Sequence, residues 1–248
     1  MRLRALIAVA ALPLASVLAA CDSAPGYPKN EVPARPDQVT DFQTLYNTNC
    51  QACHGANGQN GPAMDLANPE YQALVDDATL RNVIAKGMPG TEMPAFAQSA
   101  GGMLTDQQVD ALVAGMRKEW AKPNAFGGAT PPPYAQLNSG DAAHGQQMYK
   151  DRCSFCHEQA GQQVNSQVYL SLVSDQALRT IIVAGRPDIH QPDWRNDIEP
   201  RPGNGNGIKY GGLAPLPLSS QDVTDIVTYL HSLRNPAAVS AAPNSPRR

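Results

Sequence analysis

The stretches Cys50-Gln51-Ala52-Cys53-His54 and Cys153-Ser154-Phe155-Cys156-His157 carry the same five-residue pattern, and they decide how the rest of the chain is interpreted. C-x-x-C-H is the attachment site of c-type haem. The two thiols add to the vinyl groups of the porphyrin, and the histidine that follows offers a ring nitrogen to the iron as proximal ligand. The pattern therefore predicts two covalently bound haem c groups, with His54 and His157 as the proximal ligands.

Paired cysteines have two other common uses, and both fit this chain less well. Four cysteines in two pairs can hold zinc, and a single C-x-x-C can be a redox-active dithiol. Neither use requires a histidine directly after each pair. A thioredoxin-like dithiol is also expected among alternating strands and helices, a pattern that this sequence lacks.

The segments around the two motifs repeat one helical pattern. A capped helix leads into each motif, and the expected caps are Thr40 or Asp41 in the first copy and Ser139 or Asp141 in the second. A middle helix is predicted at Asp77–Lys86 and at Asp175–Ala184, each ending at a glycine. In the second of these, Leu178, Ile181 and Ile182 are expected to face the core. A last helix follows Leu104 and Leu218.

On these motifs and helices, residues 39–235 resemble the class I cytochromes c, taken twice. The resemblance implies an all-α fold with two cytochrome c domains in tandem, 39–122 and 139–235, separated by a Pro-rich linker at 123–138. It also implies that the loop after each middle helix supplies the sixth ligand of the iron.

In the first copy that loop reads Gly87-Met88-Pro89-Gly90-Thr91-Glu92-Met93-Pro94-Ala95-Phe96. Met93 before Pro94 resembles the methionine that ligates iron in the family, so Met93 is the expected ligand. Met88 also precedes a proline, but it directly follows the glycine that ends the helix. The remaining methionines of this copy are interpreted as packing residues: Met64, Met103 and Met116.

The second copy has no methionine in the equivalent loop, because Gln191 aligns with Met93 and no methionine follows Met148. The expected substitute is His190, one place earlier, as a nitrogen ligand. The alternatives are that Gln191 or water binds the iron, or that the sixth position is open. In each of these cases His190 is a solvated loop residue.

The amino terminus predicts export and anchoring. Arg2 and Arg4 precede an apolar run, so residues 1–20 are interpreted as a signal peptide. Leu18-Ala19-Ala20-Cys21 resembles the bacterial lipobox, which implies lipidation of Cys21 and attachment to the periplasmic face of a membrane. Asp22 favours the inner membrane by the sorting rule of some bacteria. Residues 21–38 contain several prolines and predict an extended tether.

The remaining composition excludes one class of partner and marks two variable segments. Without the signal peptide the chain has 17 basic residues, since two of the 19 are Arg2 and Arg4, against 22 acidic ones, which argues against nucleic acid. Compared with the first copy, the second has a Gly- and Pro-rich insert at 195–216. The tail at 236–248 is expected to be disordered.

The resemblance implies a membrane-anchored carrier of single electrons in a respiratory or photosynthetic chain, alone or as a subunit of a larger complex, and not an enzyme. Its expected partners are redox proteins or respiratory-complex subunits. The alternative is a dihaem redox enzyme, a peroxidase or sulfur-compound dehydrogenase, with an open position at the second haem.

Overall fold

The protein is seen here as a computed structural model, which describes residues 34–159, 163–195 and 217–234. The predicted signal peptide, Cys21, residues 22–33 of the tether, residues 196–216 of the insert and the tail lie outside the described residues. The chain divides into two units, Met1–Gln38 and Val39–Arg248, and the second unit holds both haem motifs. In the first unit, a 3-10 turn spans Pro36–Gln38.

Every regular element among the described residues is helical, so the predicted all-α fold is confirmed. The α-helices of these residues are α1 Phe42–Asn49, α2 Gln51–His54, α3 Pro69–Leu74, α4 Asp77–Lys86, α5 Asp106–Trp120, α6 Ala142–Arg152, α7 Gln167–Leu172, α8 Asp175–Ala184 and α9 Ser220–Ser232. The middle helices α4 and α8 have the predicted bounds. In the described parts of the chain, no helix has the length and apolar character that crossing a membrane requires.

Side-chain caps fix where the helices begin. At the start of α1, Asp41 accepts a hydrogen bond from the backbone N–H of Thr44. At the start of α6, Asp141 accepts hydrogen bonds from the backbone N–H groups of Ala143 and His144. Thr105 and Ser219 each form a reciprocal capping box, at the starts of α5 and α9. The two copies therefore begin their first and last helices with the same chemistry.

In each copy the first and last helices cross closely at a glycine. A Cβ on Gly115 in α5 would lie 2.2 Å from the ring of Phe42 in α1. A Cβ on Gly145 in α6 would lie 1.9 Å from the carbonyl oxygen of Asp225 in α9. Because no side chain fits at these positions, glycine permits the helix that leads into each haem motif to pack closely against the last helix of its copy.

The core of the first copy is aromatic at one end. Phe42, Tyr46 and Trp120 stack edge to face or tilted, with ring centroids 5.2–5.8 Å apart. Of the methionines interpreted as packing residues, Met116 is buried and Met64 packs against this core. Met103 is 80% exposed, so that interpretation is wrong for Met103.

Helix α8 buries Leu178 as predicted and packs Ile182 against the core, but a neighbouring face of the helix is buried as well. Leu178 is buried, but Ile181 and Ile182 are half-buried, whereas Arg179 is 1% exposed. The Arg179 guanidinium donates to the Pro133 carbonyl and to hydroxyls of Thr224 and Ser220, so the linker and α9 cover it. A buried cation with three acceptors is satisfied, and the apolar periodicity of the helix could not reveal it.

Candidate haem-binding sites

The first motif forms a turn of helix, α2, at the end of α1. Cys50 is buried and Cys53 is exposed, so one sulfur faces the interior and the other the surface. Burial, followed by the nearby Cys53, raises the pKa of the Cys50 thiol to about 12. The site therefore favours an uncharged sulfur, and the thioether that joins a cysteine to haem c is uncharged.

The ring of His54 is oriented for iron by its other nitrogen. His54 Nδ1 lies 2.8 Å from the carbonyl oxygen of Met64 and donates its proton there. Burial lowers the pKa of His54, which keeps the imidazole neutral. A backbone acceptor on Nδ1 fixes the tautomer that leaves Nε2 as the free lone pair, the usual arrangement of a metal-ligating histidine. The site fits a haem with His54 as proximal ligand.

Gly55, directly after the first motif, adopts a backbone conformation that requires glycine. Its φ is +77°, and a Cβ would lie 1.9 Å from the carbonyl oxygen of Gln59. In this conformation the Gly55 carbonyl accepts a 2.8 Å hydrogen bond from the buried hydroxyl of Tyr46. The turn after the motif is thereby attached to α1.

The second motif takes a different path because Glu158 stands where the first has Gly55. The chain continues as a π-helical turn, Phe155–Gln159. Tyr149, the counterpart of Tyr46, is buried, and its hydroxyl has no partner among the described residues. The same holds for the indole N–H of Trp194. Buried donors of this kind call for acceptors, and a haem brings two propionate carboxylates, so the second site also fits the group.

The loop that carries Met93 folds back on the end of α4. The Met88 N–H donates to the Met93 carbonyl at 3.0 Å, and the Met93 N–H donates to the hydroxyl of Thr91. A Cβ on Gly87 would lie 2.6 Å from the Met93 carbonyl oxygen, so the glycine makes this return possible. Met88 and Met93 are both half-buried. The choice of Met93 as iron ligand stays a prediction.

In the second copy the loop brings Gln191 to the proximal histidine. Gln191 Oε1 lies 3.1 Å from His157 Nε2. His190 is exposed, has a left-handed backbone with φ +66°, and closes the 3-10 turn Pro187–Ile189. The assignment of His190 as a ligand stays a prediction, and Gln191, which makes this contact, is one of the alternatives named from the sequence.

The loops of the two copies meet in a buried contact, here called the loop junction, formed by residues 60–68 of the first copy and 184–188 of the second. Asn68 is 2% exposed, and its amide donates to the carbonyls of Ala184 and Gly185 at 2.9 and 3.1 Å. The same Asn68 caps α3. The junction therefore joins the segment after the first motif to the ligand loop of the second copy.

Charged side chains complete the loop junction. Arg186 and Asp188 form an ion pair of 2.7 Å whose side chains are 6% and 1% exposed. Arg186 also donates to the Gly61 carbonyl at 3.0 Å, and Asp188 accepts from the Asn60 N–H at 3.0 Å. Each member of the pair is thus bonded across the junction as well as to the other.

Asp65 adds a second carboxylate beside this ion pair. Burial and the negative charge of Asp188 raise the pKa of Asp65 to about 6, although Arg186 opposes the shift. One oxygen of Asp65 has no partner among the described residues. Two buried carboxylates therefore depend on a single guanidinium, and removing that guanidinium is expected to be costly.

Two family descriptions match the chain, one around each motif. Residues 37–114 match "Cytochrome C oxidase, cbb3-type, subunit III", and residues 142–234 match "Cytochrome c". The chain therefore carries two cytochrome c-type domains in tandem, the arrangement of a dihaem c-type cytochrome. These domains imply covalently bound haem c and an electron-transfer function.

Two curated relatives match parts of the chain. Over 72 residues it is 43% identical to the dihydro-heme d1 dehydrogenase of Pseudomonas aeruginosa, covering 29% of this chain and 14% of that protein. Over 138 residues it is 26% identical to the cbb3-type cytochrome c oxidase subunit CcoP of Azospirillum sp., covering 48% of this chain and 39% of that protein. The chain thus spans less than two fifths of the length of either relative. No solved structure matches it significantly.

The residues around each motif define what the protein contributes to haem chemistry. Haem c, when bound, supplies a one-electron couple between Fe(III) and Fe(II). The Met64 carbonyl orients His54, Cys50 is buried, and Gln191 faces His157 in the second copy.

Proposed function

We propose that the protein is an exported, lipid-anchored dihaem cytochrome c that passes single electrons between its haems and to a redox partner in a respiratory or photosynthetic chain. The observation that supports this most is the loop junction. It joins the segment whose Met64 carbonyl orients His54 to the loop whose Gln191 faces His157. The two loops that contact the proximal histidines are therefore hydrogen-bonded to each other through buried groups.

A fixed contact between the two sites suits electron transfer. Asn68 spans the junction with two hydrogen bonds, and the pair of Arg186 and Asp188 adds one from each member. Buried polar groups that are hydrogen-bonded to both elements restrict the arrangement of the elements that they join. The distance between the haems is then constant, and no domain movement is needed before an electron crosses.

The haem count tests this proposal directly. Two covalent haems per chain are expected by pyridine haemochrome assay, and both should remain after extraction with acidified acetone, because thioether bonds survive denaturation. Redox titration should resolve two one-electron steps. A single haem per chain, or haem that is extracted, would contradict the proposal.

Anchoring is tested at the residue proposed to carry the lipid. Cys21→Ser should release the protein from the membrane fraction with both haems in place, because acyl chains on Cys21 are proposed to hold it there. Ser23→Ala is the matched control and should stay with the membrane. Fractionation and haem staining of both variants measure the effect. Retention of the Cys21→Ser protein in membranes would indicate a different anchor.

A role within a respiratory complex is the first refinement of the proposal. It is supported by the match of residues 37–114 to a cbb3-type oxidase subunit III and by the likeness to CcoP. We propose an oxidase or a comparable respiratory assembly as the electron partner, at the periplasmic face of the inner membrane.

A redox enzyme is the second candidate function. It is supported by the likeness over 72 residues to a dihydro-heme d1 dehydrogenase and by the amide, rather than thioether, facing His157 in the second copy. An enzyme of this kind needs an iron position that a substrate or ligand can reach, so the candidate depends on the distal side of the second haem.

A further inference from the structure

The ligand loops of the two copies have the same backbone fold, and this places Gln191 where the first copy has Met93. In the first copy the Met88 N–H donates to the Met93 carbonyl at 3.0 Å. In the second the Arg186 N–H donates to the Gln191 carbonyl at 2.9 Å. The backbone pair Met88–Met93 of the first copy therefore corresponds to the pair Arg186–Gln191 of the second, without a shift of one residue.

The amide of Gln191 is oriented by two contacts. Its nitrogen, Nε2, donates to the Pro192 carbonyl at 3.1 Å. Its oxygen, Oε1, is therefore the atom that faces His157 Nε2 at 3.1 Å. The half-buried side chain presents a carbonyl oxygen to the nitrogen that the motif assigns to iron.

His190 is held differently. Its N–H donates to the Pro187 carbonyl at 3.3 Å and its backbone is left-handed, which ends the 3-10 turn at this residue. The residue is exposed to solvent, whereas Gln191 is half-buried against His157. The local fold therefore directs residue 191, and not residue 190, to the proximal histidine.

We propose that Gln191 is the distal group of the second haem, opposite His157, and that this haem consequently binds small neutral ligands of the carbon monoxide type. The proposal rests on the dihaem function proposed above. An amide oxygen is a hard donor that matches Fe(II) poorly, whereas the thioether of Met93 is a soft one. Exogenous carbon monoxide should displace the amide but not the thioether.

The test compares Gln191→Met with His190→Ala in the mature dihaem protein. The wild-type ferrous protein should take up about one carbon monoxide per chain, at the second haem. Gln191→Met places a thioether at the position equivalent to Met93. It should abolish this uptake and double the intensity of the sulfur-to-iron charge-transfer band of the ferric protein. His190→Ala should change neither readout.

The opposite pattern overturns the assignment. If His190 is the ligand, the wild type takes up no carbon monoxide, Gln191→Met leaves the charge-transfer band unchanged, and His190→Ala creates a high-spin haem that binds carbon monoxide. Haem content is measured first on each sample. Two haems with the opposite pattern overturn this inference alone, whereas a single haem in the wild type overturns the proposed function with it.

Discussion

Arg186→Leu is expected to lower the free energy of unfolding by about 3–5 kcal/mol at neutral pH, because it leaves two buried carboxylates without their counter-charge. Asp188 is 1% exposed at the side chain and Asp65 is 3% exposed, and Arg186 is the cation beside both. Its hydrogen bond to Gly61 across the loop junction is lost as well. Chemical denaturation of wild type and variant, both with full haem content, measures the difference.

The loss of stability should shrink as the pH falls. In the wild type the hydrogen bond from Arg186 lowers the pKa of Asp188, so this pair stabilises the fold above the ordinary aspartate pKa and less below it. Asp65 behaves oppositely, since its pKa is raised to about 6 and its ionised form destabilises the fold. Without Arg186 both carboxylates lack a counter-charge, so the penalty is largest when both are ionised and is relieved as they take up protons.

Arg81→Leu is the matched control for this prediction. Arg81 also binds two carboxylates, Asp106 and Asp110, at 3.0 and 2.6 Å, but its side chain is 39% exposed. Solvent screens such pairs, and their contribution is about 0–1 kcal/mol. Equal losses in the two variants would show that the burial of the junction pair has no energetic consequence.

The first, middle and last helices of each copy could be predicted because their signals are local. The helix starts at Asp41 and Asp141, and the glycines that end α4 and α8, each depend on residues within one turn. Helices α3 and α7 are too short for an apolar period to be visible. Their caps, Asn68 and Ser166, were the available signals, and Pro69 after Asn68 supports the first.

The loop junction could not be predicted because its contacts join distant parts of the chain. Asn68 reaches Ala184, and Arg186 reaches Gly61, across more than a hundred residues. One signal was present in the sequence: the loop of the second copy has Arg186 and Asp188 where the first has Met88 and Gly90. Charged residues that replace an apolar and a small residue of the first copy indicate a bonded partner, but the sequence does not say which one.

Residue type alone does not decide whether His190 or Gln191 faces His157 in the second copy. Histidine is the better iron ligand, and that chemistry favoured His190. The backbone register, set by the bond between Arg186 and Gln191, brings the neighbouring residue to His157 instead. A displacement of one residue in a loop changes which side chain faces the site, and only the fold determines it.

Cys153→Ala combined with Cys156→Ala should reduce the covalent haem content from about two per chain to one, by removing both thioether bonds of the second copy. We expect the helices of this copy, α6 to α9, to lose stability, because a domain of its size buries little surface without the porphyrin. Haem assay, circular dichroism and limited proteolysis measure these changes.

The matched variant, Cys50→Ala with Cys53→Ala, should cause the same loss in the first copy. In each variant the remaining haem should keep its own spectrum: with the charge-transfer band of Met93 when the second copy is altered, and without it when the first is. A protein that keeps two covalent haems, or that keeps this band after the first motif is removed, would contradict the assignment of one haem to each motif.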